Sequence, residues 1–281
     1  MLKYRGGKSK EIPELMKFIP LEYDRYVEPF LGGGALYFYL EPKKAIINDL
    51  NSGLMRFYSG VRDDFDKVKF DLQDMQQTYE RNRRDFEALK AMHPDDRVED
   101  KNEAEYYRIR EMFNGLQESD FSWAALYFYI NKTAYSGMIR YNKSGEYNVP
   151  YGRYKYFNTE CVSESHSALL RDTTIMTGDF QTVFDQCKED DFVFLDPPYD
   201  CVFSDYGNPE LEGSFSQSEH KRLAEAFFSL PCKALLVIGK TDLTMSLYDK
   251  HVVHEYGKEY AVNIRNRFKS SSKHILVTNG R

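Results

Sequence analysis

The sequence predicts an α/β protein: a doubly wound, mostly parallel sheet interrupted by a mainly helical insertion. Three observations carry that reading. Short apolar strands alternate with helical stretches up to about residue 50 and again after Asn158. Between Val61 and Asn114 there is no glycine, and the pattern is polar, tyrosine-rich and helical. At roughly 150 residues per domain, a chain of 281 residues also exceeds one ordinary domain. The division expected is a sheet domain formed by residues 1–54 and 158–281, with 55–157 inserted into it.

Taken in order, Ser9 to Phe18 reads as a helix, with Ile12, Leu15, Met16 and Ile19 at helical spacing. Tyr26 to Phe30 reads as a short strand closed by the glycines Gly32, Gly33 and Gly34. A helix over Ala35 to Leu40 and a strand over Lys44 to Asn48 complete one βαβ unit, with Asp49 at the carboxyl end. Inside the insertion, Phe121 to Ala134 looks like a buried helix. Ser136 to Pro150 alternates apolar and polar residues on both sides of Lys143-Ser144-Gly145, a β-hairpin signal. The α/β rhythm then returns with strands at Thr174–Thr177, Phe192–Leu195, Ala234–Ile238 and His274–Thr278. Phe215 to Leu230 reads as a helix with Ser216 as N-cap and Glu219 completing a capping box.

With 42% hydrophobic and 29% charged residues, the composition excludes a disordered tail and a membrane protein. No apolar run approaches the roughly 20 residues of a spanning helix, and the basic N-terminus lacks the apolar stretch of a signal peptide. The cysteines at 161, 187, 201 and 232 have neither metal-ligand nor CxxC spacing, so free thiols in a reducing compartment are expected. The histidines form no ligand cluster, and no metal is implied. The net charge of −6 hides an asymmetry, because Gly60–Asp120 alone holds 17 acidic and 11 basic side chains. Trp123–Phe157 carries Lys132, Arg140, Lys143, Arg153 and Lys155 against Glu146, and Lys258–Arg281 is also basic. Two local fields therefore suit phosphate in spite of the acidic average.

In a doubly wound sheet, ligands bind outside the carboxyl ends of the strands. The first strand delivers Glu28-Pro29-Phe30-Leu31-Gly32-Gly33-Gly34, where backbone can approach a ligand closely. The second delivers Asp49, suited to the two hydroxyls of a ribose. The third delivers Asp179-Phe180, a carboxylate beside an aromatic plate that would suit adenine. Glu28 at the mouth of a loop that is not GxGxxG favours a cationic nucleoside over a pyrophosphate. S-adenosyl-L-methionine, with its sulfonium and amino groups, fits this set better than a dinucleotide.

The fourth strand ends in Asp196-Pro197-Pro198-Tyr199. The prolines hold the chain extended and cannot donate hydrogen bonds. The Asp196 carboxylate and the Pro197 carbonyl can then converge as acceptors on one exocyclic amine. Drawing both amino hydrogens toward acceptors localises the nitrogen lone pair and makes it a better nucleophile toward an activated methyl. Tyr199 offers a face for a base that must be flipped out of a duplex to be reached.

Together these residues resemble the N6-adenine DNA methyltransferases of the Dam type over nearly the full chain. Lys3-Tyr4-Arg5-Gly6-Gly7-Lys8 resembles the family's N-terminal lysine–aromatic–x–Gly–Gly–lysine motif, and Glu28 to Gly34 its cofactor loop. Asn48-Asp49-Leu50-Asn51 resembles the ribose element, Tyr135 to Tyr154 the DNA-reading hairpin, and Ile275 to Asn279 the closing strand. The resemblance implies an S-adenosylmethionine-dependent methyltransferase fold. Tyr4, Lys8, Glu28, Phe30, Gly32, Gly34, Asp49, Asp179, Phe180 and Asp196 would serve the cofactor, and Asp196, Pro197 and Tyr199 the reaction. It differs from the family at Tyr4, where tryptophan is common, at Ser136, where asparagine is usual, and at Ile238-Gly239-Lys240, where a serine–asparagine pair is frequent.

The partner implied is double-stranded DNA, with Lys3, Lys132, Arg140, Tyr141, Asn142, Lys143, Asn148 and Arg153 as candidate contacts. Arginine pairs with guanine and asparagine with adenine in the major groove, while lysines and Arg153 suit phosphates. The target suggested by resemblance is GATC. A cognate restriction endonuclease would be a separate chain, and the protein is expected to be a monomer or weak dimer in the cytoplasm or nucleoid. Beside adenine N6, three other readings stay open: cytosine-N4 methylation, a nicotinamide-dependent dehydrogenase lacking its glycine fingerprint, and a DNA-binding module without catalysis.

Overall fold

A computed structural model describes residues 1–4, 6–199, 215–259 and 271–281. Arg5 and Cys201, named above, and residues 260–270 of the basic stretch Lys258–Arg281 lie outside the described residues. In chain order the elements are α1 (Ile12–Leu15), β1 (Arg25–Glu28), α2 (Ala35–Leu40) and β2 (Ala45–Asp49), then α3 (Ser52–Asp63), α4 (Phe65–Met92), α5 (Lys101–Phe113), α6 (Trp123–Thr133) and α7 (Glu164–Arg171). The chain continues through β3 (Thr173–Thr177), α8 (Phe180–Phe184), β4 (Asp191–Leu195), α9 (Gln217–Ser229), β5 (Lys233–Gly239), α10 (Asp242–Tyr248), β6 (Val252–Glu259) and β7 (Ser271–Thr278).

The chain divides into two compact units, one holding Met1–Gly6 and Asn51–Asp172, the other Gly7–Leu50 and the sheet residues from Thr173 onward. The breaks fall at 50/51 and 172/173, and the first six residues group with the helices rather than with the sheet.

The sheet unit has seven strands in the order β3-β2-β1-β4-β5-β7-β6. The pairs β1–β2, β2–β3, β1–β4 and β4–β5 are parallel, whereas β7 runs antiparallel to both β5 and β6. β4 is buried throughout and β5 over its five central residues, as expected of parallel strands covered on both faces. Val27, Ile46, Val193, Leu195, Leu223, Phe227, Leu236 and Ile275 belong to one core cluster. The chain winds outward from β1 through β2 to β3, then returns to add β4 on the other edge of β1. The crevice at that reversal lies beyond the carboxyl ends of β1 and β4, so the fold itself selects Glu28 and Asp196.

The helical unit interrupts the β2-to-β3 crossover. Asn51 caps α3 by accepting from the Leu54 amide at 3.0 Å, and Asp100 caps α5 by accepting from Asn102 at 3.0 Å. α6 is apolar nearly all round and accordingly buried, with Phe128 and Tyr129 at its centre. Among the described residues no helix is long and apolar enough to cross a membrane.

Three sequence expectations are corrected. The first helix is a single turn, because Pro13 can stand only at its start and Pro20 disfavours helical backbone at Ile19. The hairpin over Ser136–Pro150 forms no strand ladder. Tyr135–Gly137 is a 3-10 turn, and only isolated bridges join Tyr141 to Tyr147 and Ala134 to Tyr151. At α9, Ser216 accepts from the Glu219 amide at 3.2 Å, but the Glu219 carboxylate turns to Arg222 instead of completing the capping box. The edge strand β6 carried too many polar residues for its apolar pattern to be read.

Candidate active site

Beyond β1 the chain leaves the sheet through Pro29–Gly34, where Gly32 and Gly34 adopt left-handed φ values of 51° and 63°. A Cβ at Gly34 would stand 2.8 Å from the Phe38 ring, so both space and conformation require glycine there. The loop is tied to its neighbours by the two residues that end β2. Asp49 Oδ2 accepts from the Gly32 amide at 2.8 Å. The buried Asn48 amide donates to the carbonyls of Pro29 and Gly178, each at 2.9 Å, and so joins the ends of β1, β2 and β3. Its Oδ1 is buried with no hydrogen-bond partner among the described residues.

The charge at these ends is acidic. Glu28 is 3% exposed and accepts from the Tyr26 hydroxyl at 2.7 Å. Burial holds its carboxyl well above the usual glutamate range, and the nearby charges of Asp196 and Asp49 push it the same way. At the end of β4, Asp196 Oδ1 lies 2.7 Å from the ammonium of Lys8, which is itself 3% exposed. The same ammonium stands 4.9 Å from the centre of the Tyr199 ring. Tyr199 meets His274 edge-on at 5.1 Å. His274 is buried against Glu11, its Nδ1 2.9 Å from Oε2, and Glu11 also accepts from the Tyr256 hydroxyl at 2.5 Å. Lys8, Asp196, buried Pro197 and Tyr199 therefore form one cluster. Glu11, His274 and Tyr256, which carry no motif, stand behind it and were not legible in the sequence.

Asp179 caps α8 by accepting from the Gln181 amide at 2.9 Å. Arg222 of α9 grips the same carboxylate with two hydrogen bonds of 2.9 and 2.7 Å and holds its pKa below the ordinary aspartate range. The guanidinium carbon also lies 4.1 Å from the centre of the Phe180 ring. Phe180 is only 3% exposed and packs on Phe30 at 5.5 Å. The Phe180 ring therefore forms a buried wall beside Asp179, with Arg222 over its face. Tyr4 is half-buried and belongs to the helical unit.

The candidate DNA contacts all lie in the helical unit. Arg140 is exposed but reaches Asn148, with Nε 2.8 Å from Oδ1. Asn142 builds the turn: its Oδ1 accepts from the amides of Ser144 and Glu146, each at 2.9 Å, and its Nδ2 donates to the Glu146 carboxylate at 2.8 Å. Lys143 is exposed at the tip, and Tyr141 packs edge-on against Tyr147. Arg153 pairs with Glu103, both carboxylate oxygens lying 2.7 Å from one nitrogen. Lys3 donates to the Lys132 carbonyl at 2.9 Å and lies 3.5 Å over the Tyr154 ring, a pinned position rather than a free surface cation. Lys132 lies 5.2 Å from the Phe128 ring centre. Tyr135, which the motif reading did not select, presents an exposed ring at the 3-10 turn.

Comparison with known proteins bears on the whole chain. The family described as D12 class N6 adenine-specific DNA methyltransferase matches residues 4–264. The chain is 31% identical over 286 residues to the Type II methyltransferase M.CviBI of Paramecium bursaria Chlorella virus NC1A, covering 99% of this chain and 98% of that one. It is 32% identical over 279 residues to the Type II methyltransferase M.MjaIII of Methanocaldococcus jannaschii, covering 92% and 86% of the two chains. To the DNA adenine methylase of Salmonella typhi it is 27% identical over 281 residues, covering 96% and 89%. A family match of that extent, on a sheet whose reversal point carries Glu28 and Asp196, leaves one conclusion: this chain belongs to the D12 class of N6 adenine-specific DNA methyltransferases.

Proposed function

We propose that the chain transfers a methyl group from S-adenosyl-L-methionine to N6 of a flipped adenine in duplex DNA, using the strand ends of its sheet. The observation that carries this reading is the clustering of Lys8, Asp196 and Tyr199 at the end of β4, beside the buried acid Glu28. The carboxylates of Asp49 and Asp196, with the buried acid Glu28 able to accept from a cationic group, suit a cationic cofactor better than a pyrophosphate, which supports S-adenosylmethionine over a dinucleotide. Glu28, Phe30, Gly32, Gly34, Asp49, Asp179 and Phe180 would hold it, with Tyr4 and Lys8 from the N-terminal motif. When bound, the cofactor supplies an electrophilic methyl group.

The chain's own residues do the rest. Lys8 pairs with the Asp196 carboxylate and orients it, and a carboxylate only accepts hydrogen bonds. Asp196 and the Pro197 carbonyl accept from the two hydrogens of the exocyclic amine, so its lone pair stays available. Tyr199 stacks on the base and excludes water. Rate comes from positioning and fixed electrostatics. The loop over Ser136–Pro150 reads the duplex, with Arg140 and Asn148 as base-reading side chains and Lys132, Lys143 and Arg153 toward phosphate.

GATC is the sequence to test first, and the Type II relatives support a role as the modification partner of a separate endonuclease. The test is tritiated methyl transfer from S-adenosylmethionine to unmethylated duplex DNA, with mass spectrometry of the product nucleosides. N6-methyl-2′-deoxyadenosine as the labelled product is expected, and N4-methyl-2′-deoxycytidine would overturn the choice of base.

A further inference from the structure

The loop that carries Arg140 and Asn148 is not held by a sheet. Across it run only a few backbone hydrogen bonds, among them Asn142 to the Glu146 carbonyl at 2.8 Å and Asn148 to the Arg140 carbonyl at 3.1 Å. The other edge of the arm 147–149 is met by side chains of α5. The Tyr147 amide donates to Asn114 Oδ1 at 2.8 Å, and Asn114 Nδ2 donates back to the Tyr147 carbonyl at 3.1 Å. The Val149 carbonyl accepts from the Tyr106 hydroxyl at 2.7 Å and from Arg110 at 3.3 Å. Tyr106 and Arg110 of α5 and Asn114, its C-cap, recur every fourth residue and so form one stripe.

A side-chain amide offers one acceptor and two donors on a plane, as a peptide group offers one of each. Paired with both backbone groups of Tyr147, Asn114 does what a residue of a neighbouring strand does in a hydrogen-bonded pair. Two residues on, the next outward carbonyl of the arm, Val149, is taken by Tyr106 and Arg110. A slip of the arm by one residue would leave these groups facing the wrong backbone atoms and turn every side chain to the opposite face. Arg140 and Asn148 would then lose their mutual contact, in which Arg140 Nε lies 2.8 Å from Asn148 Oδ1.

We propose that the Tyr106–Arg110–Asn114 stripe is a specificity-determining device, a surrogate strand that fixes the register of the reading loop. The inference rests on the reading above in which that loop contacts base edges. These three are positioning residues, acting through Arg140 and Asn148 without touching DNA. Tyr106 is fully buried, and its hydroxyl is spent on a loop carbonyl and not on its own helix, which a purely packing role does not require.

The experiment uses the full chain with two conservative changes. Asn114→Asp keeps the acceptor for Tyr147 but removes the donor, and Tyr106→Phe removes one hydroxyl. Each protein methylates a methylation-free plasmid to equal total tritium incorporation, and the modified adenines are mapped by sequencing that detects them directly. Sites differing from the preferred one by a single base pair are expected to gain about five- to tenfold relative to it. Amide exchange in 138–149 should quicken, with the sinefungin dissociation constant unchanged. A lowered melting temperature with an unchanged distribution of sites overturns the proposal. Should Asn114→Asp not fold, Tyr106→Phe decides by the same measure. Arg140→Ala runs in parallel: if it broadens the distribution and the stripe variants do not, the stripe has no such role. If Arg140→Ala also leaves it unchanged, the loop itself does not read bases.

Discussion

The ammonium of Lys8 stands 2.7 Å from Oδ1 of Asp196, a cation 3% exposed set against the acid of the Asp-Pro-Pro-Tyr sequence. Burial, with the nearby charges of Asp196 and Asp49, raises the Glu28 carboxyl, so these strand ends disfavour a further negative charge. Lys8 offsets that effect. Removing it strands a partly buried carboxylate, a change that costs about 3–5 kcal/mol in fully buried pairs and less here because Asp196 is partly open. Lys8→Met is expected to lower the single-turnover methyl-transfer rate by at least about tenfold, with a fall in melting temperature. A rate within twofold of wild type would remove Lys8 from the account.

Glu28 gives a dependence on pH whose sign is fixed by burial. Its carboxyl is held above the ordinary glutamate range, so the folded protein binds that proton more tightly than the unfolded chain. The stability this contributes is complete below the ordinary value of roughly 4.3 and is lost as pH rises through the raised value. Glu28→Gln removes the dependence. Melting curves from about pH 4.5 to pH 8 should fall less steeply for the variant, and parallel curves would contradict the assignment.

The Asp179–Arg222 pair works in the opposite direction. Asp179 is held below the ordinary aspartate range, chiefly by its hydrogen bonds with Arg222, so its contribution is present above roughly 3.9 and vanishes as pH falls through the lowered value. Both side chains are more than a third exposed, so Arg222→Ala should cost under about 1 kcal/mol of stability. Its expected effect is on the cofactor: the KM for S-adenosylmethionine rises about fivefold with kcat preserved at saturation. Equal losses in both parameters would point to a general disturbance of the sheet.

Ser136 stands at φ 55°, a left-handed conformation that asparagine adopts more readily than serine. An asparagine at this turn would thus have a backbone reason independent of any DNA contact. Ser136→Asn is expected to stabilise the protein by about 0.5–1 kcal/mol, read as a rise in melting temperature. No rise, together with altered site preference, would show that the position acts through DNA alone.

The strand ends were legible because their chemistry is local. Glycines with positive φ, an acid closing β2 and prolines after β4 each declare themselves within a few residues, and the topology then brings them together. Glu11, His274 and Tyr256 were not legible, since their cluster is assembled from α1, β7 and β6, far apart in the chain. The loop over Ser136–Pro150 was legible as an alternation but not as a structure. Side chains of α5 satisfy its outer edge, so it needs no ladder, and a period of two describes both cases. Arg222, which covers Phe180 and grips Asp179, was not legible, because nothing in the Asp179-Phe180 motif announces a residue 42 positions downstream.

Asp196 is the residue on which the proposed methyl transfer most directly depends. Asp196→Asn keeps the shape but exchanges the ionised acceptor for an amide whose donor opposes the amine of adenine. Tritiated methyl transfer to duplex DNA under single-turnover conditions should fall by at least about a thousandfold, while duplex affinity stays within a few-fold of wild type. Transfer retained within tenfold of wild type would contradict the role given to the Lys8–Asp196 site.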